Sequence, residues 1–196
     1  MSGYDSYDST QDTLGHIENV RWNIWEFTHE LERRGREHDA SKLQSPEKEA
    51  FDEVTPKLRG LTYGSEEYKA NIAKLGEALK HHYAVNSHHP EHYANGIGGM
   101  TLLDLVEMFC DWKAATERHA DGNLERSIEI NRERFQMSEQ LAQIFQNTRE
   151  WIEADPIVDA FTNMRRSDVE RMRQESERRK AANGGRNPAI ITGSGI

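Results

Sequence analysis

The histidine–aspartate pair His38–Asp39 is the feature of the sequence with the clearest chemical meaning. An isolated histidine, His16, precedes the pair, a histidine-rich segment follows at 81–92, and Asp111 lies beyond it in an apolar segment. Imidazole and carboxylate groups are the ligands that hold zinc, manganese or iron with coordination positions left open for chemistry. We therefore expect a site for one or two divalent transition-metal ions, namely Mn, Fe, Co or Zn.

Composition limits the classes of protein and partner. The chain has 196 residues, enough for a buried core in one domain, and its single cysteine excludes a disulfide framework. We expect a cytoplasmic protein without a membrane partner, because the chain begins without an apolar signal segment and lacks a run of about 18 apolar residues. The net charge of −9 argues against duplex nucleic acid as a partner but leaves a small nucleotide open as a ligand.

The elements that must position these residues are predicted to be helices. We expect an all-α, single-domain helical bundle with disordered tails at both ends. In this prediction a tail at 1–9 leads into the metal-binding domain at 10–155, followed by a charged helix at 156–180 and a second tail at 181–196. Both tails are rich in small polar residues and have no hydrophobic period.

The first helix is predicted over 12–36, where apolar residues recur at three- and four-residue steps. They are Ile17, Val20, Ile24, Phe27 and Leu31. We expect this stripe to face the core and His16, at its edge, to line the site. An exposed His16 without a ligand role is the alternative. Trp22 and Trp25 are predicted to pack against other side chains rather than to stack on bases.

A helix that begins after Ser65 is predicted to carry one ligand. Its apolar stripe, with four-, three- and four-residue steps from Tyr68 to Leu79, continues onto His82, whereas His81 is turned about 100° away. We therefore take His82 as a ligand and His81 as a surface or orienting residue. A core histidine that bonds a backbone carbonyl is the alternative for His82.

The segment 86–100 is a loop by its glycine and proline content. Because a loop has no period, the sequence leaves the choice among His88, His89 and His92 open. We take His89 as a ligand and His88 as a residue that contacts the substrate. A surface cluster that traps metal adventitiously is the alternative.

A central, largely apolar helix is predicted to start at Thr101, which has the capping-box spacing with Asp104. Asp104, Glu107 and Asp111 share one face of this helix. Asp104 is assigned to the cap, which leaves Asp111 as the ligand and Glu107 as an orienting or proton-accepting group. Arg118 is expected to assist substrate binding, and a surface pair between Asp111 and Arg118 is the alternative. A long helix that contains Ile128, Leu141 and Phe145 is expected to follow.

The pattern His38-Asp39-x-x-Lys42, placed between a helical histidine and the later histidines and aspartate, resembles the HD-domain superfamily of metal-dependent phosphohydrolases. The likeness spans roughly residues 12–118 and implies an HD-type helical bundle. It implies one ion bound by His16, His38, Asp39 and Asp111, and a second bound by His82 and His89. The element is similar to that of HD-GYP phosphodiesterases and myo-inositol oxygenase, which implies that Lys42 faces the substrate. The chain is also similar to an uncharacterised, phage-associated branch of the superfamily.

The expected function is that of a metal-dependent phosphohydrolase acting on a nucleotide or a related small phosphoester. Lys42 and Glu107 are the expected catalytic groups, and Lys42, His88 and Arg118 are the expected substrate contacts. The GYP tripeptide is absent, so cyclic-dinucleotide specificity is not implied. The alternatives are a di-iron oxygenase on the same scaffold and a non-catalytic nucleotide-binding protein of the phage-inhibitor type. Homo-oligomerisation is left open.

Overall fold

A computed structural model of the chain describes residues 7–58, 61, 65–118 and 122–154, and single residues between 164 and 178. The described part is helical and has no strand, which confirms the predicted all-α class. Contacts divide the chain into two compact units, residues 1–145 and 146–196. The first unit carries every candidate site residue. The predicted tail at 181–196 lies outside the described residues, as do most of the predicted tail at 1–9 and most of the predicted helix at 156–180.

The described residues form seven α-helices and three short 3₁₀ segments. The helices are α1 (Thr10–Glu37), α2 (Glu47–Leu58), α3 (Glu66–Ala73), α4 (Gly76–Val85), α5 (Leu102–Thr116), α6 (Leu124–Phe135) and α7 (Glu139–Ala154). The 3₁₀ segments are Ala40–Leu43, Pro90–His92 and Gly96–Gly99. None of the helices in the described part of the chain has the length and apolar character needed to cross a lipid bilayer.

Two helices that were predicted to be continuous are interrupted. The helix after Ser65 is split into α3 and α4 where Gly76 adopts a left-handed backbone with φ 47°, and the long helix after α5 is split into α6 and α7 where Gln136 has φ 51°. A left-handed residue ends a right-handed helix. The Ser65 cap is confirmed, because its side chain accepts a hydrogen bond from the Tyr68 N–H.

The core of the first unit lies around α5, as predicted. Met108 and Phe109 are buried, and the Trp112 ring centroid lies 5.7 Å from that of Phe145. Ile128 of α6 is completely buried against this group. The remaining buried apolar residues are Val54, Leu75, Ala78, Leu124, Met137 and Ala142. One face of α5 is therefore packed in the core, which fixes the position of Asp104, Glu107 and Asp111 on its other face.

Helix α1 departs from the prediction, because no residue in it is buried. The stripe that was expected to face the core is exposed: Ile17 is 47% accessible and Ile24 is 57% accessible. Trp22 and Trp25, expected to be packed, are 62% and 53% accessible. The period of the sequence identified the apolar face correctly, but within the described chain only the end of this face at Leu31 is partly covered.

The C-terminal end of α1 is anchored to α5 through the buried carboxylate of Asp104. The Arg34 guanidinium donates to Asp104 Oδ1 at 2.7 Å, and the Ser87 hydroxyl donates to the same oxygen at 2.7 Å. Thr101 completes the predicted capping box, and the Tyr93 hydroxyl donates to Oδ2 at 2.9 Å. Burial alone would raise the pKa of Asp104, but these hydrogen bonds, led by those from Thr101, hold it well below its usual range.

Replacing Asp104 with alanine is expected to lower the free energy of unfolding by about 3 kcal/mol, because several buried donors and the Arg34 charge lose their acceptor together. Thr101→Ala, which removes the cap and one hydroxyl donor to Asp104 Oδ2 but leaves the Arg34, Ser87 and Tyr93 bonds intact, is expected to cost about 1 kcal/mol. Urea unfolding followed by circular dichroism measures both values. Equal losses for the two variants would contradict the anchoring role of Asp104.

Candidate metal centre

The turn after α1 brings two adjacent side chains to the same place. On a helix, neighbouring side chains diverge by about 100°, so His38 and Asp39 could not share a site there. The helix ends at Glu37, and Asp39 adopts a left-handed backbone with φ 57° and ψ 17°. As a result His38 Nε2 lies 3.5 Å from Asp39 Oδ2. Aspartate is among the few residues other than glycine that tolerate this conformation.

Six histidine and aspartate side chains converge around this turn in two overlapping sets. In each set, one ligand atom from every member lies within 4.8 Å of those from the others. The first set is Asp39, His82, His88 and His89, and the second is His38, His88 and Asp111. The sets share His88, which is buried with 2% exposure. Such a density of ligand atoms fits one ion or a close pair.

Glutamates orient three of the imidazole rings. Glu47 Oε2 lies 2.9 Å from His82 Nδ1, and Glu107 Oε1 lies 2.9 Å from His38 Nδ1 and 3.2 Å from His88 Nδ1. A carboxylate accepts a hydrogen bond from Nδ1–H, so a neutral ring that keeps its proton on Nδ1 presents the lone pair of Nε2. Metal-ligating histidines are held in this way, with a carboxylate on the nitrogen opposite the metal.

Two atoms of the cluster lack hydrogen-bond partners although they are buried. Among the described residues, Asp39 Oδ1 and His88 Nε2 are two of three such side-chain atoms. They lie 3.6 Å apart, and Asp39 Oδ1 also lies 3.3 Å from His82 Nε2. An unsatisfied buried polar atom costs about 1–3 kcal/mol, so two that converge call for an occupant that pairs with both. The donor set therefore fits a divalent cation.

The histidines of the cluster differ in protonation state. Burial lowers the pKa of His89 to about 3 and also lowers the pKa of His82, so both rings are neutral, as ligands must be. Hydrogen bonds to Asp111 and Glu107 raise the pKa of His38 to about 10. In the metal-free protein, His38 thus carries the positive charge that faces these carboxylates. A cation bound at the site would displace that proton.

Asp39 belongs to the first set and also faces His38 of the second. Its Oδ1 atom faces His82 and His88, whereas Oδ2 faces His38 and accepts a hydrogen bond from Lys42 Nζ at 2.6 Å. Burial would raise the pKa of Asp39, but the charge of Lys42 and its hydrogen bond outweigh burial and lower it. The carboxylate is thus ionised and suited to be shared by two ions.

Sequence reasoning missed Glu47, which is completely buried at the start of α2. Besides His82, it accepts a hydrogen bond from the Ser41 hydroxyl at 3.0 Å and lies 2.8 Å from His81 Nδ1. His81 is exposed, and it contacts the same carboxylate that bonds His82. No sequence signal distinguishes Glu47 from the exposed Glu49, because both follow the proline that precedes α2 as ordinary acidic residues of a first helical turn.

Glu107 acts as an orienting residue in this geometry. Its Oε1 atom contacts the Nδ1 atoms of His38 and His88, and Oε2 accepts a hydrogen bond from the Arg34 guanidinium at 3.2 Å. Burial would raise the pKa of Glu107, but the hydrogen bonds with His38 and His88 hold it well below its usual range. Because both oxygens are engaged, the structure favours the orienting role over the proton-accepting role. Arg34 was not identified from the sequence.

Three predicted site residues occupy places other than those expected. His16 is exposed on the unbroken helix α1, and the 22 residues up to His38 correspond to about 30 Å, so one chain cannot bind an ion with both. Arg118 is exposed two turns beyond Asp111 and is not brought to the cluster. His88, expected to contact the substrate, is instead a member of both ligand sets. His92 is exposed and lies outside them.

A cavity of about 200 Å³ adjoins the cluster, and its lining includes Arg33, Arg34, His38, His88 and Glu107. Pockets that enclose whole small-molecule ligands are usually about 300–1,000 Å³. The cavity therefore suits a group of phosphoryl size rather than an entire nucleotide. Guanidinium groups at its wall are the preferred partners of phosphate oxygens, although both arginines are also paired with glutamates.

The chain belongs to a protein family described as "Family of unknown function (DUF5662)", whose model matches residues 5–155. The match includes α1 to α7 and every residue of the candidate metal centre. No curated protein and no solved structure matches the chain. Family membership thus leaves the activity to be argued from the site itself.

Removing His88 is expected to weaken metal binding most, because it belongs to both ligand sets. We expect His88→Ala to lower the affinity for Mn²⁺ or Co²⁺ by at least about 100-fold, whereas His16→Ala leaves it unchanged. Isothermal titration of the metal into the stripped protein measures both affinities. Equal affinities for wild type and His88→Ala would exclude the site.

The orienting role of Glu47 is tested by Glu47→Gln. Glutamine has one acceptor oxygen where Glu47 uses two, so one of the rings of His81 and His82 must face an amide donor. Metal affinity is expected to fall by about 10- to 100-fold. Glu49→Gln, on the exposed side of α2, is the matched control and is expected to bind like wild type. A loss shared by both variants would point to a general charge effect.

Proposed function

We propose that this protein is a metal-dependent phosphohydrolase that acts on a nucleotide or a related small phosphoester. The observation that carries the proposal is the convergence of six ligand side chains, two of which present buried atoms without hydrogen-bond partners. The resemblance of the His-Asp-x-x-Lys motif to the HD-domain superfamily supports the same reaction class. The single cysteine favours a reducing compartment such as the cytoplasm.

The residues that would hold the metal follow from the two sets. They are His38, Asp39, His82, His88, His89 and Asp111. A divalent ion bound there supplies Lewis acidity, which lowers the pKa of a water molecule and neutralises charge on phosphoryl oxygens. Glu47 and Glu107 fix the rings in advance, so little reorganisation is needed when ligands bind.

Lys42 is the residue best placed to contact a substrate phosphate. Its ammonium group lies beside the cluster on Asp39 Oδ2 and over the Phe51 ring, 4.9 Å from the centroid, and its side chain is about one-third exposed. It can therefore donate a hydrogen bond to a non-bridging phosphate oxygen without leaving Asp39. The cavity beside His38 places two guanidinium groups, each also paired with carboxylates, where a phosphoryl group would fit.

The proposal is tested with protein that is stripped of metal and reloaded with Mn²⁺, Co²⁺ or Fe²⁺. We expect metal-dependent release of phosphate or nucleoside from at least one member of a panel of nucleotides and sugar phosphates, and loss of this activity in His38→Ala and Asp39→Asn. Lys42→Ala is expected to lower kcat/KM by about 100-fold, because the variant lacks the positive charge that would face the transferred phosphoryl group. Lys48→Ala, an exposed lysine paired with Asp52 on α2, is the control and is expected to keep full activity.

Absence of product across the panel in metal-loaded, folded protein would overturn the proposal. Consumption of dioxygen by the iron-loaded protein, without release of phosphate, would assign the site to an oxygenase instead. Measurements of metal content accompany each variant, so that loss of the ion is distinguished from loss of a substrate contact.

A further inference from the structure

We propose that the exposed apolar face of α1 is an interface between two copies of this chain. The α1 stripe consists of Ile17, Val20, Ile24, Phe27 and Leu31. Its steps of three, four, three and four residues are the heptad spacing by which two helices pack along each other. The stripe lies N-terminal to the metal centre, so this inference does not depend on the proposed function.

The helix itself needs a partner. Apart from its anchored C-terminal end, α1 has no buried residue from which tertiary packing could stabilise it. Isolated helices in water are marginal even at about 15 residues, and most helical stability in proteins comes from burial of an apolar face. A helix of 28 residues with an uncovered stripe is therefore expected to gain stability by covering it.

The exposed area fits a dimer interface. Ile17, Val20, Ile24 and Phe27 are 40–57% accessible, and Leu14 at the end of the stripe is 50% accessible. Together these side chains expose on the order of 450 Å² of apolar surface. A standard interface buries about 800 Å² per partner, slightly more than half of it apolar. The α1 stripe can supply the apolar area of such an interface, and the polar residues that border it can supply the rest of the buried area.

The charges on α1 favour a second copy over other partners. Acidic and basic side chains pair within the helix, as in Glu18 with Arg21 and Glu32 with Arg36. A helix that binds anionic lipid or nucleic acid carries an excess of lysine and arginine on its polar face, which α1 lacks. An apolar stripe with balanced borders is complementary to the same stripe related by two-fold symmetry.

The test is sedimentation velocity on the full chain up to about 100 µM. Wild type is expected to have twice the mass of one chain, and Ile24→Glu to weaken association by about 100-fold or more, because a charge would be buried at the interface. Asn19→Glu introduces the same group about 120° away from the stripe and is expected to associate like wild type. Glutamate is a good helix former, so neither substitution lowers the intrinsic helix propensity of α1.

The metal content of Ile24→Glu is expected to equal that of wild type, which excludes misfolding of the metal-binding part of the chain as the cause of dissociation. The α1 amides of this variant are expected to exchange faster than in wild type, because the helix has lost its partner. A wild-type protein with the mass of one chain at the highest concentration would overturn the proposal, as would an Ile24→Glu variant that remains dimeric. If monomeric wild type protected the α1 amides from hydrogen exchange, another part of the same chain would be the occupant.

Discussion

The candidate metal centre depends on the way that two glutamates, one fully and one largely buried, hold imidazole rings. Glu107 bonds two rings at once, and Glu47 bonds two more, one of them in the cluster. Removing such carboxylates from water is costly, and the cost is offset only because each accepts several hydrogen bonds. The ionised state of these glutamates and the direction in which the histidines point are therefore one property of the fold.

The ligands come from elements that are far apart in sequence. The turn after α1 supplies His38 and Asp39, α4 supplies His82, the following loop supplies two histidines, and α5 supplies Asp111. The packed core behind α5 fixes one wall, and the Arg34–Asp104 ion pair fixes the end of α1 against it. An ion bound by these residues would link segments that otherwise meet only through packing, so metal binding and folding stability should be coupled.

The sequence predicted which segments are helical, and which helix faces are apolar, better than it predicted where the helices break. Period alone separated His82 from His81, and the capping box located the start of α5. The continuous helix predicted over 12–36 already separated His16 from His38 by about 30 Å, and only the resemblance to the HD-domain superfamily assigned both to one ion. The breaks at Gly76 and Gln136 are set by single left-handed residues, which a helical pattern tolerates without a clear sign. The loop that contains His88 has no period, so its burial became visible only in three dimensions.

The left-handed backbone of Asp39 restricts what this position can hold. Glycine would adopt φ 57° freely but would bring no oxygen to the cluster. Asparagine would tolerate the backbone yet lose the negative charge, and glutamate would keep the charge but resist the conformation. Aspartate meets both demands at a lower conformational cost than glutamate. The residue type at this position in a related chain therefore indicates whether that chain has kept or lost the metal centre.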